Sequence, residues 1–309
     1  MRPSPQLLTP RRVLVTGATG FVASRAAARW VRDGATVRAL VRRPTAIDGV
    51  ETVVGDLLDA VSLERALRGV DAVVHAAVDE SGDVDRMLAV NVSGTRALAE
   101  AASRAGCRRF VHVSTCGVYA LEGVDVVTES SAVWPDERIG ELPYGVTKAR
   151  AEEALQATAA SGLHVVVLRP PNVLGAHQRS VFCERLATLV RDGGIGYALD
   201  GGTTWPFVHV ENLIDAIDLA LHRDVPPGRA YTIVDGHMTW RAFLQVYADW
   251  FGVELRQREP RPPYDLFRGR FATDRARDEL GYEPRLGFDD AMEETRRFLE
   301  AQGLLEARS

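Results

Sequence analysis

The sequence almost lacks lysine. Among its 37 lysines and arginines, Lys148 is the sole lysine. Arginine is a poor substitute where a compact ammonium must reach several oxygens. A position that keeps lysine against such a bias is therefore a candidate functional site. Cysteine is scarce too. Cys107, Cys116 and Cys183 are widely spaced and form no C-x-x-C pair. That speaks against a disulfide framework or a zinc site and suits reduced thiols in a cytosolic protein, so no metal is expected. No apolar run reaches the roughly eighteen residues of a membrane helix. The segment Met1–Pro10 lacks the apolar core of a signal peptide and, with Pro3, Pro5 and Pro10, reads as a flexible arm over 1–10. The formal charge of −5 is mild, and no basic stripe marks a nucleic-acid partner. A small-molecule substrate, with neither nucleic acid nor membrane, is the expected partner.

What is present is a rhythm. Short apolar runs alternate with helical stretches. The expected strands are Val13–Val15, Thr36–Val41, Thr52–Val54, Ala72–Val74, Phe110–Val113 and His164–Leu168. Helices are expected over Phe21–Arg32, Leu58–Leu67, Val84–Ala105 and Tyr144–Ala160, with Gly34, Gly69, Gly106 and Gly162 at or beyond their ends. Such alternation predicts a parallel sheet buried on both faces, an α/β Rossmann-type doubly wound fold. After Pro170-Pro171 the rhythm breaks, with Gly193-Gly194, Gly201-Gly202, Pro226-Pro227 and Pro262-Pro263 as punctuation. The expected organisation is a dinucleotide-binding domain over 11–172 and a mainly substrate-binding lobe over 173–309. Segments near 205–237, such as Phe207–Val210 and Tyr231–Val234, are expected to return to the main sheet.

Gly17-Ala18-Thr19-Gly20-Phe21-Val22-Ala23 follows the first strand and opens the first helix. Gly17 permits a tight turn, and Gly20 lets backbone approach a pyrophosphate at the positive helix end. Ala23 takes the place of the usual third glycine, small enough for helix to pack on strand. The second strand ends in Val41-Arg42-Arg43 with no acid. A guanidinium at Arg42 suits a 2′-phosphate, which favours NADP over NAD. Asp56 is either an acceptor for an adenine amino group or a helix N-cap.

Tyr144 and Lys148 stand one helical turn apart at the start of a helix. A neighbouring ammonium and a positively charged nicotinamide ring both favour the phenolate. The phenol is then expected to fall toward neutrality and to exchange a proton while hydride moves. Lys148 would also hold the nicotinamide ribose. Ser114-Thr115 ends the fifth strand at the carboxyl edge, where ligands of such sheets bind.

The ordered set T-G-A-T-G-F-V (16–22), G-D-L (55–57), H-A-A (75–77), N-V-x-G-T (91–95), V-S-T-x-x-V-Y (113–119), Y-G-V-T-K (144–148), R-P-P-N-V-L-G (169–175) and F-V-H-V-E-N-L (207–213) resembles the extended short-chain dehydrogenase/reductase family. Within it the chain is similar to the NAD-dependent epimerase/dehydratase group. The resemblance implies Thr115, Tyr144 and Lys148 as catalytic residues. It implies Gly17, Thr19, Gly20, Phe21, Val22, Asp56, Leu57, Ala76, Ala77, Asn91 and Pro171 around an NAD(P) cofactor. It implies Asn172 and His209 facing substrate, and a homodimer paired through two helices. Sugar 4,6-dehydratases of the family carry Asp-Glu after the catalytic Thr, where this chain has Cys116-Gly117. The phrase V-R-A-L-V-R-R-P (37–44) resembles NADPH-using ketone reductases. Thr204-Trp205-Pro206 stands where nucleotide-sugar enzymes place a diphosphate-gripping Arg. The expected function is an NAD(P)-dependent oxidoreductase acting on a secondary alcohol or ketone. The alternative is a nucleotide-sugar epimerase with tightly bound NAD.

Overall fold

The computed structural model describes residues 12–159, 162–198, 202–261 and 263–306. The arm expected over 1–10 lies outside them, as do Gly201 and Pro262. Seven parallel strands form the main sheet: β1 (Arg12–Thr16), β2 (Thr36–Val41), β3 (Glu51–Val54), β4 (Ala72–His75), β5 (Arg109–Val113), β6 (His164–Arg169) and β9 (Arg229–Thr232). Their order across the sheet is β9-β6-β5-β4-β1-β2-β3. Both faces are covered, as parallel strands require. Val13 and Val15 of β1 point into one core with Ala26, Ala27 and Trp30 of α1 (Phe21–Arg32), whereas Leu14 points into the other with Leu63, Leu67 and Leu98. Full burial of one such side chain stabilises by roughly 1.5–3 kcal/mol.

The second face is covered by α2 (Ala60–Leu67), α3 (residues 84–104) and α4 (Pro143–Ala159). The N-cap of α2 is Asp59, whose side chain accepts from Val61 N; Asp56 instead accepts from Leu58 N at 2.9 Å in the loop before it. The cap reading of Asp56 is thus corrected by three residues. Helix α3 runs on through a π-helical stretch, Leu88–Gly94, which periodicity did not foretell. Gly94 lets Leu57 approach, since a Cβ there would lie 2.9 Å from the Leu57 Cβ.

The chain order reverses between β1 and β4, so their carboxyl ends flank a crevice, the place where such sheets take ligands. The two segments expected to return to the sheet part company. Arg229–Thr232 does become its edge strand, β9, beside β6. Thr204–His209, β8, joins a separate small sheet, parallel to β7 (Asn172–Leu174) and antiparallel to β10 (Gly236–Thr239). A short run centred on Trp205–Val208 reads alike in either sheet. The helix after β8, α6 (Val210–His222), does return and buries Leu213, Ile214 and Ile217 against the face that α1 covers. The remaining lobe has its own aromatic core of Trp205, Phe243 and Tyr247. It is built with α5 (Leu186–Arg191), α7 (Trp240–Phe251) and α8 (Phe288–Ala301). Thr239 caps α7 by accepting from Ala242 N at 3.1 Å, and left-handed Gly252 ends it.

Candidate active site

Two cavities meet over the carboxyl edge of the sheet. One, of about 580 Å³, reaches from Gly17, Gly20 and Phe21 to Tyr144 and Lys148. The other, of about 850 Å³, opens into the lobe. Thr115, Tyr144, Pro171, Asn172 and Phe182 line both.

The first cavity has the features a dinucleotide needs. Gly17 has φ +73°, and a Cβ on it would lie 2.8 Å from the Ala76 carbonyl and from the Ala77 nitrogen. Only glycine fits that turn and that approach. Gly20 is the N-cap of α1 with no side-chain cap, and no acid occupies the first turn. Its N–H groups are therefore available to an anion at the positive helix end. Val22 and Ala76 also line this cavity, and so does Arg179, whose Nη1 donates to Thr19 Oγ1 at 3.3 Å.

Other expected contacts lie further out. Arg42 and Arg43 are exposed past the end of β2. Leu57 is buried beside α3. Ala77 donates its backbone N–H to Thr16 Oγ1 at 3.2 Å. Asn91 is 2% exposed and is spent on protein: Oδ1 accepts from Asp79 N at 2.7 Å, and Nδ2 donates to Asp79 O at 2.9 Å and to Thr147 Oγ1 at 3.2 Å. It therefore fixes the loop after β4 from behind. Asn172 lines the junction, with Nδ2 donating to Pro206 O at 2.8 Å. His209 is absent from the lining of both cavities. Its Nδ1 accepts from Glu211 N at 3.1 Å as the N-cap of α6, and its Nε2 lies 3.7 Å from Glu294. The motif residue expected to face substrate serves here as a buried helix cap.

At the junction, the Thr115 and Tyr144 side chains line both cavities, and Thr115 Oγ1 accepts from Gly117 N at 3.0 Å. Ser114 turns away to the buried Glu152, which Arg169 also grips with Nη2 to Oε2 at 2.6 Å. Burial, then the nearby Glu80, pushes the Tyr144 phenol above its ordinary range, and the Thr115 hydroxyl works against them. Lys148 Nζ donates to Val113 O at 2.8 Å and lies 3.1 Å from His112 Nε2. Burial lowers its amine to about 8. The protein groups by themselves thus hold the phenol high; the expected fall toward neutrality also invokes the positive ring of an oxidised cofactor. Cys116 is buried and donates Sγ–H to Arg169 O at 3.1 Å. No carboxylate stands at position 116 or 117.

The histidines beneath this site were missed in the sequence. His75 and His112 sit opposite each other on β4 and β5 and stack at 5.2 Å. Both lie inside apolar strands, and a polar residue in such a run is the signal that could have found them.

The family model of the NAD dependent epimerase/dehydratase family matches residues 13–233. A dTDP-glucose 4,6-dehydratase of Streptomyces niveus is 33% identical over 318 residues, covering 92% of this chain and 91% of the relative. A 3-beta-hydroxysteroid dehydrogenase of Mycolicibacterium neoaurum is 29% identical over 336 residues, covering 92% of this chain and 90% of the relative. Among solved structures, a dTDP-glucose 4,6-dehydratase of Streptomyces venezuelae with NAD bound superposes with a TM-score of 0.80 at 30% identity, over 96% of this chain and 99% of that one. The chain belongs to the NAD-dependent epimerase/dehydratase family and is an NAD(P)-dependent oxidoreductase of the extended short-chain dehydrogenase type.

Proposed function

We propose that the enzyme interconverts a bulky, largely apolar secondary alcohol and its ketone, with Tyr144 as acid/base. The observation that carries this reading is the junction: the dinucleotide cavity and the lobe cavity share Thr115 and Tyr144. A carbonyl seated there meets two hydroxyls from the protein. The nicotinamide cofactor supplies or takes the hydride when bound. Tyr144 gives its proton to the substrate oxygen in reduction and takes it back in oxidation. Thr115 hydrogen-bonds the same oxygen or the phenol and orients both. Lys148 adds positive charge near the phenol, and the ring of an oxidised cofactor adds more; together they oppose the burial that holds the phenol high.

Three features support an apolar substrate. The lobe cavity is walled by Phe182, Trp205, Trp240, Tyr264, Phe267 and Phe271. Its two carboxylates are already engaged: Glu141 by Arg138 at 3.1 Å, and Asp265 by Arg258 Nη2 at 3.2 Å. One relative is named for a hydroxysteroid. With Cys116 and Gly117 beside Thr115, the proton inventory of an elimination is missing from that place. A second reading keeps a specific observation: Arg256 and Arg261 are exposed residues lining the lobe cavity, where they could seat a diphosphate. That is the nucleotide-sugar epimerase with tightly held NAD, in keeping with the dTDP-glucose relatives. NADP preference rests on Arg42. A homodimer and a cytoplasmic setting complete the proposal, the latter in keeping with three free, buried thiols.

Tyr144→Phe tests the acid/base role. Turnover of a ketone panel should fall about 10²–10⁴-fold with cofactor binding unchanged. Turnover equal to the wild type would remove Tyr144 from the chemistry. Tightly retained NAD in the purified protein would favour the epimerase instead.

A further inference from the structure

The amine of Lys148 does not stand free at the cavity wall. It is held from inside the sheet by two acceptors on consecutive residues of β5, His112 Nε2 at 3.1 Å and Val113 O at 2.8 Å. His112 is 1% exposed, and its ring stacks on His75 with an interplanar angle of 29°. His75 is itself fixed at both nitrogens, by Thr16 Oγ1 at 2.6 Å and by Thr95 Oγ1 at 2.8 Å. Thr16 ends β1 immediately before Gly17. A chain of packed polar side chains thus runs under the cavity floor, from the glycine turn to the amine. The His112 Nδ1 atom is buried with no hydrogen-bond partner among the described residues. Leaving a buried polar atom without a partner costs about 1–3 kcal/mol, so the fold keeps this imidazole at an expense that its other nitrogen must justify.

We propose that His112 is a positioning residue for Lys148: its Nε2 and the Val113 carbonyl occupy two N–H bonds of the amine and leave the third directed at the dinucleotide cavity. The inference rests on the reading of Lys148 as the partner of Tyr144 and the cofactor. An ammonium has three donors and no acceptor. With one acceptor removed, the amine can swing among rotamers and the third donor loses its aim. The imidazole must be neutral to accept, and burial together with the Lys148 charge keeps His112 well below its ordinary range. The groups facing the amine are Glu152 from its own helix, Glu80 from the loop after β4, His75 from β4 and His112 from β5, with Tyr144 one turn earlier. Of these, His112 alone hydrogen-bonds the amine through a side chain among the described contacts.

The solitary lysine makes the test direct. Protein grown with lysine labelled with ¹⁵N at Nζ carries one such label in this sequence. The variants are His112→Gln, whose carbonyl can reach the Nε2 position, and His112→Asn, which mimics only Nδ1. His112→Leu replaces Asn should the latter fail to fold. The Nζ titration should stay near wild type in the Gln variant and fall by about one pH unit in the Asn variant, because an acceptor of the charged form has gone. Turnover should fall about tenfold in Asn and recover in Gln. An unchanged Nζ titration in the Asn variant, or equal displacement in both, would overturn the proposal. Lys148→Met separates the two levels: wild-type turnover in that variant would remove Lys148 from the chemistry while the Nζ titration still judges its tie to His112.

Discussion

The two cavities that meet at Tyr144 are built by different means. The dinucleotide cavity is framed by backbone and by small residues at fixed points of the sheet: Gly17 and Gly20 after β1, Ala76 after β4. The lobe cavity is framed by large side chains from distant short segments, among them Phe182, Trp205, Trp240, Tyr264 and Phe271. A site made of main chain tolerates almost no substitution and recognises a ligand common to many enzymes. A site made of side chains can be rewritten residue by residue without disturbing the sheet. The difference explains why relatives named for steroids and for nucleotide sugars match nearly the whole of this one chain.

The comparison can be broken most severely at Gly17. Gly17→Val should weaken binding of NAD(P)H by on the order of a hundredfold or more, through the positive φ and the clash with Ala76. A fluorescence titration measures it, and near-native affinity would mean that the frame yields. Arg42→Asp should come next. Loss of a charge-assisted contact to a 2′-phosphate is worth roughly 1.5–3 kcal/mol, a tenfold to hundredfold swing in preference from NADP toward NAD. Equal dissociation constants before and after would leave the cofactor choice without Arg42.

The floor of the dinucleotide cavity is polar, whereas the lobe is cored by aromatic rings, so acid should separate them. Burial, then the Lys148 charge, lowers His75 to about 3. Its folded value lies below the ordinary 6.5, so the unfolded chain binds more protons between the two. The stability contribution is full above pH 6.5 and is lost as pH falls toward 3, at about 1.4 kcal/mol per pH unit. Urea midpoints between pH 7 and pH 5 should fall with acid in the wild type, where His112 adds to the slope, and His75→Asn should remove one proton's share of it. The smallest effect belongs to the lobe. Tyr264→Ala should raise KM for the ketone by on the order of two- to tenfold, the worth of one aromatic contact, with cofactor affinity unchanged. A parallel loss of cofactor affinity would show that the cavities are not independent.

Legibility in the sequence followed the same division. Strands β1, β2 and β5 and helix α1 end within a residue of their expected bounds, because short, mostly buried apolar runs and an alanine-rich helix stopped at Gly34 leave few alternatives. The glycine turn and the Tyr144–Lys148 spacing were equally plain. What stayed hidden depended on long-range placement. Nothing local says that Thr204–His209 pairs with Asn172–Leu174 rather than with β6. Nothing in F-V-H-V says that His209 turns inward to cap α6. The spacing of Tyr144 and Lys148 put both on one face but could not show that the amine leans on β5, since β5 lies 36 positions back in sequence from Lys148 at its His112 contact.

The late arrival of β9 has a consequence for how the polypeptide is made. Strand β6 is complete at Arg169, yet its neighbour begins only at Arg229, and α6 is synthesised between them. A chain emerging from the ribosome therefore carries a nearly finished sheet whose last strand has an open edge and an uncovered apolar face over some sixty residues of further synthesis. Unpaired edges of that kind invite pairing with other chains. Newborn molecules should be most prone to aggregation in that interval, and no cut near residue 172 would give a stable nucleotide-binding fragment. The lobe is in this sense a long detour within the folding of the sheet.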